Sequence, residues 1–333
     1  MPELREIDAA GMGTPDDAIL ASPTPLVLRG LVRHWPYVQE ALQGQQAGAQ
    51  GLLRHYRGET VSAMLGAPEI GGRFFYNADL SGLNFAQARV PLPAVLAELD
   101  KHRASTPSPA IYVGSTTIDT CLPGFRAEND VDLGHRDALA SIWIGNQTCI
   151  AAHYDVPDNL ACVAAGRRRF TLFPPGQLAN LYIGPLDFTP AGQPVSLVDV
   201  RQPDLDRFPK YAAARRHALV AELGPGDAIF IPSMWWHHIE ALDPFNVLVN
   251  YWWRQAPDYV DTPTSALMHA LMTIRDLPDA QRAAWHTMFR HYVFDADVTT
   301  AAHIPPAARH ALGPIDDTAM RIMRAQLLKK INR

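Results

Sequence analysis

The chain is 333 residues long, with 47% hydrophobic and 19% charged residues, 28 prolines and 22 glycines. This composition excludes a disordered or collagen-like chain, allows a large core, and fits many turns between short strands. A formal net charge of -5 argues against broad non-specific binding to nucleic acid or membranes, while leaving room for a local basic patch.

Cys121, Cys149 and Cys162 form neither a C-x-x-C pair nor an even framework, so they are expected as buried small residues in a reducing compartment. The start, Met1-Pro2-Glu3-Leu4-Arg5-Glu6, is too polar for a signal peptide. No apolar run reaches the ~18 residues that span a bilayer. The expected location is the cytoplasm.

Residues 1–107 read as a mixed α+β lead-in. They hold a short strand at Leu26-Val27-Leu28-Arg29, a helix over Tyr37 to Leu42, and a strand over Thr60 to Leu65. Aromatic, β-favouring residues follow a glycine turn at Arg73 to Asn77. The spacing of Leu92, Val95, Leu96 and Leu99 predicts a packing helix entered through proline.

From about residue 108 to 257 the character changes to closely spaced short strands, which suggests a sandwich or barrel. Strands are expected at Ala110 to Gly114, Ser141 to Gly145 and around His153. The next pair, Asn159 to Ala164 and Arg167 to Phe173 around Gly166, reads as a hairpin closed by Pro174-Pro175. Alternation along its second strand puts Arg168, Phe170 and Leu172 on one face and Arg167, Arg169, Thr171 and Phe173 on the other. Arg168 therefore shares a largely apolar face, and a buried cation needs an anionic partner.

Residues 176–220 read as a long polar excursion between barrel strands, the kind of loop that tends to carry function. Strands return at Ala228 to Ile231, after the turn Gly224-Pro225-Gly226-Asp227, and at Asn246 to Trp253. Residues 258–333 turn helical: Leu267, Leu271 and Ile274 mark one helix, Trp285, Met288, Phe289 and Tyr292 another, and Met320, Met323, Leu327 and Ile331 a third. Their apolar stripes require cover, either from the chain itself or from a second copy in a homodimer.

The chemistry centres on His153-Tyr154-Asp155. Residues two apart on a strand share a face, so an imidazole and a carboxylate would project together as half of a metal site. A downstream run, Trp235-Trp236-His237-His238, would complete it. Adjacent strand residues point oppositely, so only one of these two histidines should reach the metal, and His237 is taken as the ligand. His238 is expected beside the ligands or at the surface. His34, His55, His135, His217 and His286 have no ligand spacing around them.

Together with Leu172-Phe173-Pro174-Pro175, Gly224-Pro225-Gly226-Asp227, Ile231-Pro232 and Val249-Asn250-Tyr251-Trp252, these runs resemble the cupin-like JmjC-domain oxygenases. Within that family the resemblance is to the branch that hydroxylates asparagine side chains. It covers roughly residues 108–255, with a weaker echo at Pro25 to Gly30 and Trp35-Pro36. The resemblance implies a mainly β fold with helices (α+β), built around a double-stranded β-helix or jelly roll with iron in its mouth.

It also implies Fe(II) held by His153, Asp155 and His237, with 2-oxoglutarate and O2 as cosubstrates. Arg168 falls where the resembled enzymes anchor the far carboxylate of 2-oxoglutarate with a lysine, and arginine can grip a carboxylate through two parallel hydrogen bonds. Tyr112, Asn159 and Asn250 match further positions near the cosubstrate.

The function implied is hydroxylation of a protein or peptide side chain with release of succinate and CO2. Alternatives are a non-catalytic metal- and 2-oxoglutarate-binding module, a hydroxylase of a modified tRNA base, and a cupin metalloenzyme that needs no 2-oxo acid. The absence of a zinc finger or reader module makes a dedicated histone demethylase the less expected reading. No membrane partner is expected.

Overall fold

The structure, a computed structural model, describes residues 4–332, so Met1, Pro2 and Glu3 of the polar start lie outside the described residues. The chain divides into two compact units, Met1–Gln255 and Ala256–Arg333. No helix of the described residues is long and apolar enough to cross a membrane.

The first unit is built on two sheets. The strands are β1 (Arg5–Asp8), β2 (Leu26–Arg29), β3 (Thr60–Gly66), β4 (Arg73–Phe74), β5 (Ala86–Pro91), β6 (Ala110–Thr117) and β7 (Leu139–Gly145). They continue with β8 (Cys149–His153), β9 (Asp158–Ala165), β10 (Arg168–Phe173), β11 (Leu219–Leu223), β12 (Ala228–Ile231), β13 (Trp236–Ala241) and β14 (Asn246–Trp253). A nine-stranded sheet runs β1-β2-β12-β9-β14-β7-β6-β3-β5, and a five-stranded sheet runs β11-β10-β13-β8-β4. From β7 to β10 and again from β11 to β14 consecutive strands alternate between the two sheets, while β10 and β11 are neighbours in the smaller one, an arrangement consistent with a jelly roll. The fold is mainly β with helices, as expected.

The expected hairpin across Gly166 is corrected by this topology. β9 pairs with β12 and β14 in the larger sheet, whereas β10 pairs with β11 and β13 in the smaller one. Gly166, at φ +69°, turns the chain from one sheet to the other, and a Cβ there would lie 2.4 Å from the Phe245 carbonyl oxygen. The glycine marks a bend, with pairing supplied by strands distant in sequence.

Face alternation in β10 is as the sequence indicated for its inner side: Arg168 is 2% exposed and Phe170 and Leu172 are fully buried. On the other face Arg167 and Arg169 reach solvent, but Thr171 and Phe173 are buried too. Phe173 is covered by the 176–220 excursion, which is more structured than its prolines and irregular apolar spacing suggest. The excursion holds a 3-10 turn at Pro175–Asn180, a helix at Tyr211–Arg216 and strand β11. Leu181, Val198, Phe208, Tyr211 and Ala214 pack with Phe173 and Trp236 into one apolar cluster.

The Gly-Pro-Gly-Asp turn before β12 is pinned by its aspartate. Asp227 accepts from Arg29 Nη1 at 2.8 Å, from the Gly30 amide at 2.9 Å and from the Gly224 amide at 3.1 Å. Gly226, at φ +99°, lies so close to Arg33 that a Cβ would meet its Cα at 2.9 Å. This locks β12 beside β2 and sets where the chain re-enters toward β13.

The second unit contains helices at Pro263–Thr273, Asp279–Phe289 and Asp317–Ile331, the last capped by Asp316, whose carboxylate accepts from the Ala319 amide at 2.8 Å. Leu267, Trp285 and Met288 on these helices are each close to half exposed.

Candidate metal centre

His153 and His237 face each other as a directly opposed pair on the antiparallel strands β8 and β13. Their ring centroids are 4.2 Å apart. His153 Nδ1 lies 2.9 Å from the Ala151 carbonyl oxygen and His237 Nδ1 lies 3.0 Å from that of Trp235. A carbonyl only accepts, so each Nδ1 carries the proton and each Nε2 is left with a lone pair, the tautomer a metal ligand needs.

Asp155 completes the cluster by a different route from the one strand alternation suggests. β8 ends at His153, and Asp155 sits just beyond it in the following loop. The loop is fixed from the opposite sheet connection: the Met234 amide donates to the Asp155 carbonyl at 2.9 Å and the Ser233 amide to Asp158 Oδ1 at 2.8 Å. Met234 takes φ +68° to do so, an uncommon conformation for a residue with a side chain. Asp155 Oδ2 then lies 3.6 Å from His237 Nε2, and one donor atom from each of His153, Asp155 and His237 falls within 4.8 Å of the others.

Electrostatics favour a neutral, ligating imidazole. Burial, reinforced by His153 nearby and opposed by Asp155, depresses His237 to about 4. It is therefore deprotonated at neutral pH without any metal to compete for the lone pair. His238 makes other contacts, and it is not at the surface. It is 1% exposed, with Nε2 3.7 Å from Glu240 Oε1 and 3.7 Å from Cys149 Sγ. All three cysteines are free and buried.

The triad opens into a cavity of about 440 Å³ that Arg168, Tyr112, Asn159 and Asn250 also line. Arg168 is the unusual member. Its Nε and Nη2 are buried and find no hydrogen-bond partner among the described residues. Burial lowers its pKa, with the neighbouring Tyr112 hydroxyl working the other way. Burial in turn pushes Tyr112 up to about 12, with Arg168 opposing the shift. A desolvated guanidinium with two idle donors on a cavity wall has the charge and donor geometry that a carboxylate would satisfy. The donor set of the triad and this orphaned cation fit Fe(II) and a 2-oxo dicarboxylate respectively.

Several lining residues went unread in the sequence: Met64, Phe74, Gln87, Trp143 and Gln193. Gln87 lies on β5, a strand not expected at all, although Phe85-Ala86-Gln87-Ala88-Arg89-Val90 alternates in a way that would have signalled it. Trp143 belongs to a strand that was expected, but nothing local to it signals a cavity.

Comparison with known proteins places this architecture. The sequence profile described as "Cupin-like domain" matches residues 14–259, and the chain belongs to that family. The HSPB1-associated protein 1 of Rattus norvegicus is 33% identical over 151 residues, which are 43% of this chain and 30% of that protein. The tRNA wybutosine-synthesizing protein 5 of Gallus gallus is 34% identical over 145 residues, covering 39% of this chain and 42% of that protein. The chain thus spans less than half the length of either relative. Among solved structures, that of E. coli ycfD aligns over 93% of this chain and 65% of the other at 16% identity, with a TM-score of 0.39.

Proposed function

We propose that this cupin-like protein is an Fe(II)- and 2-oxoglutarate-dependent oxygenase that hydroxylates an uncharged side chain of a protein or peptide, asparagine being the candidate by sequence resemblance. The observation that carries the reading is Arg168, a fully buried cation with unpartnered donors in the same cavity as a His-Asp-His cluster. In this reading His153, Asp155 and His237 hold the iron, Arg168 and Tyr112 take the distal carboxylate of the cosubstrate, and Asn159 and Asn250 orient its near end. Held by His153, Asp155 and His237, Fe(II) would supply O2 activation coupled to oxidative decarboxylation of the cosubstrate, with succinate, CO2 and a hydroxylated side chain as the products.

The chain's own contribution is to position and to desolvate. The two Nδ1-to-carbonyl bonds hold both imidazoles in the ligating tautomer, and the apolar wall of Met64, Phe74 and Trp143 limits water around the reacting atoms. The charges also balance. Metal (+2), Asp155 (−1), Arg168 (+1) and the cosubstrate (−2) sum to zero, and no further Asp, Glu, Lys or Arg lines the cavity among the described residues. A cationic substrate group would enter without a counterion, which favours hydroxylation of a neutral group over removal of methyl groups from lysine.

The test is incubation of the iron-loaded chain with ascorbate and labelled 2-oxoglutarate. Succinate release, even uncoupled from substrate, is expected. Tight 2-oxoglutarate binding without any turnover would favour a non-catalytic binding module instead. The relative named for wybutosine synthesis in tRNA keeps a modified tRNA base as a second substrate class. Stimulation of succinate release by tRNA and by no peptide would select it. The half-exposed apolar residues of the C-terminal helices support a further part of this reading, that they form a homodimer interface.

A further inference from the structure

A hydrogen-bond chain enters the metal centre from outside the ligands. Trp143 Nε1 donates to Asn250 Oδ1 at 2.7 Å, Asn250 Nδ2 donates to Asn159 Oδ1 at 3.4 Å, and Asn159 Nδ2 donates to Asp155 Oδ2 at 3.4 Å. The first link is short and the inner two are long, so the indole is the firm end.

The strand register explains how these side chains meet. Leu248 opposes Trp143 across β14 and β7, which makes Asn250 the diagonal neighbour of Trp143 on one face. Trp252 opposes Asn159 across β14 and β9, which makes Asn250 the diagonal neighbour of Asn159 as well.

The direction of the chain is dictated at both ends. An indole N–H can only donate, and an ionised carboxylate can only accept. Each carboxamide between them has one donating and one accepting end, so the donor-only head turns the Asn250 oxygen toward Trp143 and its NH2 toward Asn159. That leaves the Asn159 oxygen occupied and its NH2 facing Asp155. Reversing either amide would set two donors or two acceptors against each other.

The indole is itself held in place. It stacks on Tyr112, with ring centroids 5.9 Å apart and planes at 28°, and meets Trp252 edge-on at 5.7 Å and 86°. Asn250 is 1% exposed and Asn159 is 6% exposed, so water offers little competition along the chain.

We propose that Trp143 is a positioning residue for the metal centre, fixing through Asn250 and Asn159 the orientation of the Asp155 carboxylate. The proposal rests on the reading that the triad binds a divalent metal. Trp143 touches none of the ligands; it acts by denying both amides their alternative orientation. It also couples the two halves of the cavity, since the same ring packs against the tyrosine beside Arg168.

The test uses Co(II), titrated into the full chain and followed by its visible absorption, so that the readout is affinity and ligand field rather than turnover. Trp143→Phe keeps an aromatic ring and removes the N–H. It is expected to weaken Co(II) binding about tenfold and to alter the absorption band, at the low end of what loss of an outer-shell partner costs. Asn250→Leu is expected to lose at least as much, and the double variant Trp143→Phe/Asn250→Leu no more than Asn250→Leu alone, because the indole would have nothing left to act through. Parent-like Co(II) affinity and absorption in Trp143→Phe, or losses that simply add in the double variant, would overturn the proposal. Should Trp143→Phe fail to fold, parent-like binding by Asn250→Leu overturns it equally. A parent chain that binds no Co(II) removes the metal reading itself, an outcome distinct from the other three.

Discussion

Replacing Arg168 by methionine separates what this side chain does for the fold from what it does for a ligand. In the ligand-free chain the guanidinium is desolvated and two of its nitrogens are unpartnered, so its charge works against folding. Methionine of comparable length removes that burden, and stability without ligand should be unchanged or higher by up to about 1–4 kcal/mol, as when other buried ions are replaced by apolar residues.

The effect on 2-oxoglutarate runs the other way. A charge-assisted hydrogen bond contributes about 1.5–3 kcal/mol, so affinity should fall by roughly 10- to 150-fold. Thermal or chemical denaturation with and without 2-oxoglutarate, with Mn(II) present throughout, reads both effects. At a concentration 100 times the parent Kd, the parent should gain about 2.7 kcal/mol from the ligand, whereas a variant weakened 100-fold should gain about 0.4 kcal/mol. Arg168→Lys should recover part of the loss, because a point charge remains without the paired geometry. Arg167→Ala and Arg169→Ala, on the outer face with Glu222 and Asp243, should behave as the parent. Equal stabilisation of the parent and of Arg168→Met by 2-oxoglutarate would place the carboxylate anchor elsewhere.

Asp155→Ala and His237→Ala should each lose divalent metal while keeping the parent circular dichroism, and His238→Ala should retain metal; calorimetric titration with Mn(II) decides, and the reverse result for the two histidines would overturn the assigned register at β13. Asp227→Ala should lower stability by about 2–3 kcal/mol, since it strands the Gly30 and Gly224 amides and takes one partner from Arg29, which keeps Glu6 and the Glu222 carbonyl; a denaturation midpoint that does not move would refute the turn's role. Light scattering on the intact chain should give twice the monomer mass, with a clean monomer excluding the dimer reading of the C-terminal helices.

Much of the secondary structure was legible because its signals are local. The helix with Leu92, Val95, Leu96 and Leu99 on its buried face, the strand from Asn246 to Trp253 and the helix carrying Met320, Met323, Leu327 and Ile331 each follow from a few neighbouring residues. The pairing of strands was less legible, and the Gly166 turn shows why. A glycine between two apolar strands has the same appearance whether the chain folds back within a sheet or crosses to the facing one. The choice is made by β12 and β14 on one side and β11 and β13 on the other, all more than 40 residues further along the chain. The excursion from 176 to 220 misled for a related reason: its apolar residues follow no helix or strand period and are broken up by prolines, yet they converge on Phe173 and Trp236, residues that it does not contain.

The candidate site divides along the same line. His153, Asp155 and His237 were readable as a set, but the stated reason for Asp155 was a strand that stops two residues short of it. What brings its carboxylate round is the Met234 amide, presented by a residue forced to φ +68° in the turn that also carries His237 inward. The two halves of the triad are thus tied by a backbone hydrogen bond that no side-chain pattern encodes. Arg168 was legible as an anomaly, a cation on an apolar face, and the structure keeps it one: buried and short of partners. Trp143 was not legible, because an aromatic residue in a strand is ordinary. Its place at the head of the chain to Asp155 exists only once β7, β14 and β9 lie side by side, which is a property of the assembled sheet and of no single stretch.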